Sequence, residues 1–309
     1  MSLALVFPGQ GSQSIGMLNA FYEDYPQVKE TFDEASSVLG YDLWEVVTSG
    51  PEEKLNSTDI TQPAMLAAGV AVWKLWNEKN GEQPAFMAGH SLGEYTALVC
   101  AGVIEFKDAI KLVSSRGKYM QEAVPAGTGA MAAILGLDDN SVREVCTAAS
   151  TDEIVEAVNF NSPGQVVIDG HTRAVEKATE LAKEKGAKRA VILPVSVPSH
   201  CQLMKPAADK LAADLQAINF SEPTVPVLNN VDVQSPVVAD AIKQALVKQL
   251  YQPVRWVEII QHMAGEGVDR ILECGPGKVL LGLNKRIDKS LTHAALTDSA
   301  ALDSQLSND

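Results

Sequence analysis

Leu3-Ala4-Leu5-Val6-Phe7 is apolar without a break, and Pro8-Gly9 ends the run. A short apolar run bounded by turn residues predicts a strand buried on both faces. Helical spacing of apolar positions follows over 28–39 and 61–79. A second short apolar run, 84–88, precedes helices over 94–103 and 105–123. Strands alternating with helices predict an α/β domain on a mainly parallel sheet.

From about Gly127 the pattern changes. Strands are predicted over 130–135, 154–160, 165–169 and 188–195, and helices over 140–149 and 172–185. Pro163-Gly164, between the second and third strands, suits the central positions of a type II turn. Gly186 is a good helix stop. The order β-α-β-β-α-β is ferredoxin-like and predicts a small inserted subdomain. Strands over 225–231 and 268–273, helices over 240–250 and 253–265, and an amphipathic stretch over 279–287 then complete the main domain. The expected division is residues 1–126 with 198–309 for the larger part and 127–197 for the insert. The polar tail after Thr297 is expected to fray.

The 309 residues are 46% hydrophobic and 21% charged, ordinary for a globular chain with a substantial core. A net charge of −14 would repel nucleic acid and anionic membrane. Cys100, Cys146, Cys201 and Cys274 lack C-x-x-C spacing, so reduced buried thiols are expected, with neither a disulfide framework nor a metal site. The N-terminus carries no basic leader, and no apolar run approaches the roughly 18 residues that span a bilayer. A cytoplasmic location is the expectation.

Gly89-His90-Ser91-Leu92-Gly93 joins the second strand to its helix. A strand–turn–helix elbow with flanking glycines exposes a serine hydroxyl and aims helix-start N–H groups at a developing negative charge. The alternative for Ser91 is an ordinary tight turn. A serine nucleophile needs a base. Of the five histidines, His90 diverges from its neighbour on an elbow, His171 reads as a surface or cap residue, and His262 and His293 lie in polar, helical contexts. His200, in Val197-Pro198-Ser199-His200-Cys201 where the two parts meet, is the candidate base; a structural histidine is the alternative. No aspartate sits convincingly to complete a triad. Arg116 falls on the apolar stripe Phe106, Ala109, Ile110, Val113, Met120 of its helix. A buried guanidinium needs an anion, either a protein carboxylate or a substrate carboxylate held bidentately. Phe7-Pro8-Gly9-Gln10-Gly11-Ser12-Gln13 lacks P-loop spacing. In an elbow enzyme it would supply the second oxyanion donor, pairing the Gln10 N–H with that of Leu92.

Six motifs stand in order: Phe7 to Gln13, Gly89 to Tyr95, Arg116 to Gln121, Asn159 to Gln165, Pro198-Ser199-His200 and Glu273 to Gly277. Together they closely resemble the malonyl-CoA:acyl carrier protein transacylases of bacteria, over nearly the whole chain. The resemblance implies a large α/β-hydrolase-like subdomain with a small ferredoxin-like one. It implies ping-pong transfer of malonyl from CoA, through Ser91, to the phosphopantetheine thiol of acyl carrier protein, for fatty acid synthesis. In that reading His200 is base then acid, Arg116 binds the malonyl carboxylate, and Gln10 and Leu92 form the oxyanion hole. The imidazole is oriented by a backbone carbonyl, at Gln249 here. No cofactor or metal is implied, and a monomer is expected. Malonyl-selective domains of large synthases often carry phenylalanine before the histidine; Ser199 stands here, which leaves tolerance of a methyl branch open.

Acyl carrier proteins are acidic, so docking on this acidic chain requires local positive charge. Lys188-Arg189 and Lys285-Arg286 are the candidates, against the alternative of solvated surface. Rival readings are a serine hydrolase of an acidic ester or thioester, a non-catalytic carrier-binding module, and a cysteine acyltransferase using Cys201.

Overall fold

A computed structural model describes residues 2–125, 127–193 and 197–307. Ala126, which ends the first expected catalytic segment, and residues 194–196, where the expected strand 188–195 ends, lie outside the described residues. In chain order the strands are β1 (Leu3–Phe7), β2 (Phe86–Gly89), β3 (Gly129–Leu135), β4 (Val155–Ser162), β5 (Gln165–His171), β6 (Arg189–Ile192), β7 (Val227–Leu228), β8 (Arg270–Cys274) and β9 (Thr292–Leu296). They form a five-stranded sheet, β7-β2-β1-β8-β9, and a four-stranded sheet, β4-β5-β3-β6.

Every pairing in the larger sheet is parallel. Every residue of β1 is buried. Successive side chains point to opposite faces, so Leu3, Leu5 and Phe7 join one core and Ala4 and Val6 another. The first core packs beneath helices Val28–Leu39, Thr58–Glu78, Leu92–Cys100, Phe106–Ala123 and Lys205–Gln216. The second packs beneath Trp256–Gly265 and Val279–Ile287. Burial on both faces is why β1 reads as a continuous apolar run. The centre of the sheet is also where the chain changes direction, with β2 on one side of β1 and β8 on the other. Loops leaving the carboxyl ends of neighbouring parallel strands at such a point form a crevice. Here Gly89 pairs with Phe7, and Glu273 with Val6, so three loops leave side by side.

All pairings in the smaller sheet are antiparallel, and its strand order is the ferredoxin-like one. Gly164 has φ +73°, as the left-handed position of the tight turn between β4 and β5 requires. Ala132, Ile134, Val166 and Ile168 pack beneath helices Asp139–Ala149 and Thr172–Glu184. The alternate positions Met131 and Val167 face the other way and line a cavity against the larger sheet. One face thus builds its own core while the other roofs the site. The β4 edge is tied down by Phe160 N–H to Val254 O (3.0 Å) and Val254 N–H to Val158 O (2.8 Å).

Several expectations are corrected. The tail does not fray directly after Thr297: Ser299–Leu306 is a helix, its N-cap Asp298 accepting from Ala301 N–H, with Leu302 fully buried. His293 lies in β9, not in a helix. The strand expected over 225–231 shrinks to β7, two residues. Helices Asn19–Asp24, Leu43–Ser49, Glu52–Leu55 and Lys205–Gln216 were not anticipated.

Candidate active site

The elbow is built by what its glycines omit. A Cβ on Gly89 would sit 1.8 Å from Gly93 C, and one on Gly93 would sit 2.0 Å from Phe7 O. Ser91 between them has φ +51°, a conformation that L residues adopt only when their surroundings impose it. Asn230, fully buried, supplies part of that constraint. Its Oδ1 accepts from Ser91 N–H (2.7 Å) and its Nδ2 donates to Gly89 O (2.7 Å). His90 takes no part beside the serine hydroxyl. Its Nε2 lies 2.8 Å from Asn161 Oδ1, and its ring packs 5.5 Å from that of Trp256.

His200 Nε2 lies 2.8 Å from Ser91 Oγ. Its Nδ1 lies 2.6 Å from the main-chain oxygen of Gln249. A carbonyl can only accept, so Nδ1 carries the proton and Nε2 presents its lone pair to the serine. Burial, then the charge of Arg116, push the imidazole down to about 3, so it is neutral at physiological pH. His200 has φ +63° and is held by its own N–H to Leu250 O (2.8 Å). The preceding Ser199 N–H donates to the buried Asp169 carboxyl.

Arg116 is 1% exposed. Nη1 donates to Gln62 Oε1 (2.9 Å), and Nη2 to Gln249 Oε1 (3.1 Å) and Ser91 Oγ (3.2 Å). The guanidinium also lies over the Tyr95 ring, 5.3 Å from its centroid. Among the described residues it makes no ion pair with a carboxylate. Neutral amides hold it in place without neutralising its charge. Glu94 lies one side chain further on, bonded to the other end of the Gln249 amide (2.8 Å). Burial raises Glu94 to about 7, against the lowering effects of Gln249, Asn230 and Arg116.

Ser91, His200 and Arg116 all line one cavity of about 480 Å³, as do Gln10 and Leu92. Leu92 opens its helix, so its N–H has no intrahelical partner. The four docking candidates stand apart: Lys188, Arg189, Lys285 and Arg286 are exposed and do not line this cavity. Arg286 Nη1 donates to Gln165 Oε1 (2.6 Å), joining the helix Val279–Ile287 to β5. Cys201 is fully buried, and burial pushes its thiol up, opposite to what a thiolate nucleophile requires. Sequence reasoning missed Gln62, Glu94 and Asn230. Their one signal is a polar residue within an otherwise apolar stretch.

A serine hydroxyl on an elbow, a neutral imidazole beside it and an arginine with no carboxylate partner among the described residues are an arrangement that can carry out acyl transfer. The acyl transferase domain family matches residues 4–299, and the chain belongs to it. Among its relatives, the malonyl CoA-acyl carrier protein transacylases of Salmonella typhimurium and Bacillus subtilis are 60% and 48% identical, covering 98% and 97% of this chain and 98% and 95% of their own. A malonyl-transacylase solved in complex with a type II PKS acyl-carrier protein is 58% identical, with TM-score 0.99 and full coverage of both chains. An acyl carrier protein S-malonyltransferase from Vibrio cholerae is 60% identical, with TM-score 0.97 over 98% of this chain and 99% of that one.

Proposed function

We propose that this chain moves a malonyl group from malonyl-CoA to the phosphopantetheine thiol of acyl carrier protein, through a malonyl ester on Ser91, supplying malonyl units for fatty acid synthesis. The observation that carries this reading is the meeting at Ser91 Oγ of a neutral imidazole (2.8 Å) and a guanidinium (3.2 Å) that has no carboxylate partner among the described residues. The first makes a nucleophile, and the second selects an acyl group that brings its own negative charge.

In loading, Ser91 Oγ attacks the thioester carbonyl while His200 Nε2 takes its proton. The oxyanion lies against the N–H groups of Gln10 and Leu92, at the positive end of the elbow helix. Collapse breaks the C–S bond, and the imidazolium returns its proton to the CoA sulfur. The Gln249 carbonyl steadies the imidazolium through Nδ1–H. In unloading, His200 takes the proton of the carrier thiol, sulfur attacks the ester, and Ser91 Oγ leaves with that proton. Arg116 holds the malonyl carboxylate throughout. Malonyl-CoA labelling followed by peptide mapping tests the reading: +86 Da, roughly the mass of one malonyl group, belongs on the peptide containing Ser91.

The cavity residues named above all come from one chain, and a monomer is part of this reading of the protein. Its four unpaired cysteines suit a reducing, cytoplasmic setting. No helix among the described residues is long and apolar enough to cross a membrane. For the carrier we assign Lys188-Arg189 and Lys285-Arg286 as docking charges, outside the reaction chamber. Reversing both pairs to glutamate should weaken transfer to carrier protein and spare transfer to free pantetheine; equal loss with both acceptors would remove the assignment.

A further inference from the structure

The side chain of Gln249 has a different task from its main chain. Its Nε2 donates to Glu94 Oε2 (2.8 Å) and to Ser91 O (3.0 Å), and its Oε1 accepts from Arg116 Nη2 (3.1 Å). Each partner dictates the same orientation. A guanidinium can only donate, and a carbonyl can only accept. Turning the amide over would set its NH₂ against the guanidinium and its oxygen against two oxygens. Gln249 is fully buried and Glu94 is 2% exposed, so no abundant water is at hand to repair those clashes.

Glu94 is fixed in turn. Its Oε2 also accepts from Asn230 N–H (2.9 Å), and Asn230 clamps the elbow from Gly89 O to Ser91 N–H. One oxygen takes both N–H donors. A proton added to Glu94 therefore belongs on the other oxygen, and the amide keeps its orientation in either ionisation state. At the far end of the chain of contacts, Gln62 holds Nη1 of Arg116 and Gln249 holds Nη2. Nη2 is also the nitrogen that touches Ser91 Oγ.

We infer that Glu94, acting through the Gln249 side chain, is a positioning residue that aims Arg116 at the acyl group on Ser91 and thereby sets the preference for acyl groups bearing a carboxylate. This rests on the malonyl-transfer reading above. Gln249 then serves two groups: its carbonyl orients the base, and its amide orients the guanidinium.

Single-turnover loading of the full chain from malonyl-CoA and from acetyl-CoA tests the inference in wild type, Glu94→Met, Glu94→Gln and Gln249→Met. Met at either position keeps bulk and removes the polar contact. The malonyl-to-acetyl rate ratio should fall about tenfold or more in both Met variants, the worth of one hydrogen bond to a charged group. Glu94→Gln should restore most of the ratio, since an amide oxygen can take the place of Oε2. Equal loss of both loading rates in the Met variants, with the ratio unchanged, would overturn the inference and leave Glu94 merely structural. A Glu94→Gln ratio as low as that of Glu94→Met would also overturn it. If Glu94→Met does not fold, Glu94→Leu takes its place, because Gln249→Met removes the Arg116 contact directly and tests only the amide link. Wild type that takes no malonyl would instead fail the functional reading.

Discussion

Arg116→Ala separates recognition of the acyl group from chemistry on it. The guanidinium is 1% exposed and held by Gln62, Gln249 and the Ser91 hydroxyl, with no carboxylate partner among the described residues. A malonyl carboxylate would therefore meet a desolvated charge with little competition. Truncating one member of such a buried, hydrogen-bonded pair costs about 2–5 kcal/mol. At about 1.36 kcal/mol per decade, malonyl loading should slow roughly 30-fold to a few thousand-fold. Acetyl has no carboxylate to lose. Removing Arg116 also frees the Ser91 oxygen from a donor at 3.2 Å, which leaves the nucleophile less encumbered. Acetyl loading should hold or rise. The assay is quenched-flow mixing with each acyl-CoA and intact-mass detection of the acyl-enzyme, with circular dichroism to confirm folding. If a folded variant loses malonyl and acetyl loading by the same factor, Arg116 is structural and the carboxylate argument fails.

Further outcomes follow from other contacts. His200 has its folded value pushed down to about 3, while the unfolded imidazole titrates near 6.5. Between those values the unfolded chain binds the extra proton, so this residue makes stability fall as pH falls, by up to about 1.4 kcal/mol per unit. Denaturant melts from pH 6.5 to 5 should show a shallower pH slope in His200→Gln than in wild type, by roughly half a proton at the upper end rising to nearly one at the lower; identical slopes would contradict the buried neutral imidazole. Asn230→Ala would leave Ser91 N–H and Gly89 O without their partner, at a cost of about 2–4 kcal/mol, visible as a lower midpoint in urea. Gly93→Ala would drive a Cβ into the Phe7 carbonyl, and main chain cannot swing aside; loss of loading and of thermal stability is expected, and a variant as active and stable as wild type would refute the elbow geometry.

The fold was legible wherever burial was two-sided or strictly periodic. β1 announces itself because both faces are covered, and the β4–β5 turn because proline and glycine preset its angles. β9 was not legible: Thr292 is exposed, and the next two residues are only half-buried, as suits an edge strand. Helix Lys205–Gln216 buries only Ala207, Ala208, Leu211 and Leu215 of its residues, a weak apolar stripe. At the site, Ser91 could be picked out by the glycines that flank it, His200 by its place where the two parts of the chain meet, and Arg116 by the cost of a guanidinium on an apolar stripe. Gln62, Glu94 and Asn230 could not, because their meaning lies in partners 54 to 155 positions away. A buried amide reveals its task only when its donors and acceptors are in place. The main-chain oxygen of Gln249 carries no side-chain signal at all, and only the family resemblance pointed to it.

Intact-protein mass spectrometry after brief mixing with malonyl-CoA, followed by holo acyl carrier protein, tests the central claim most directly. Wild type should gain one malonyl group and then pass it to the carrier, and Ser91→Ala should gain none. An adduct that persists on Ser91→Ala, or free malonate appearing with no malonyl-carrier, would contradict transfer through this serine.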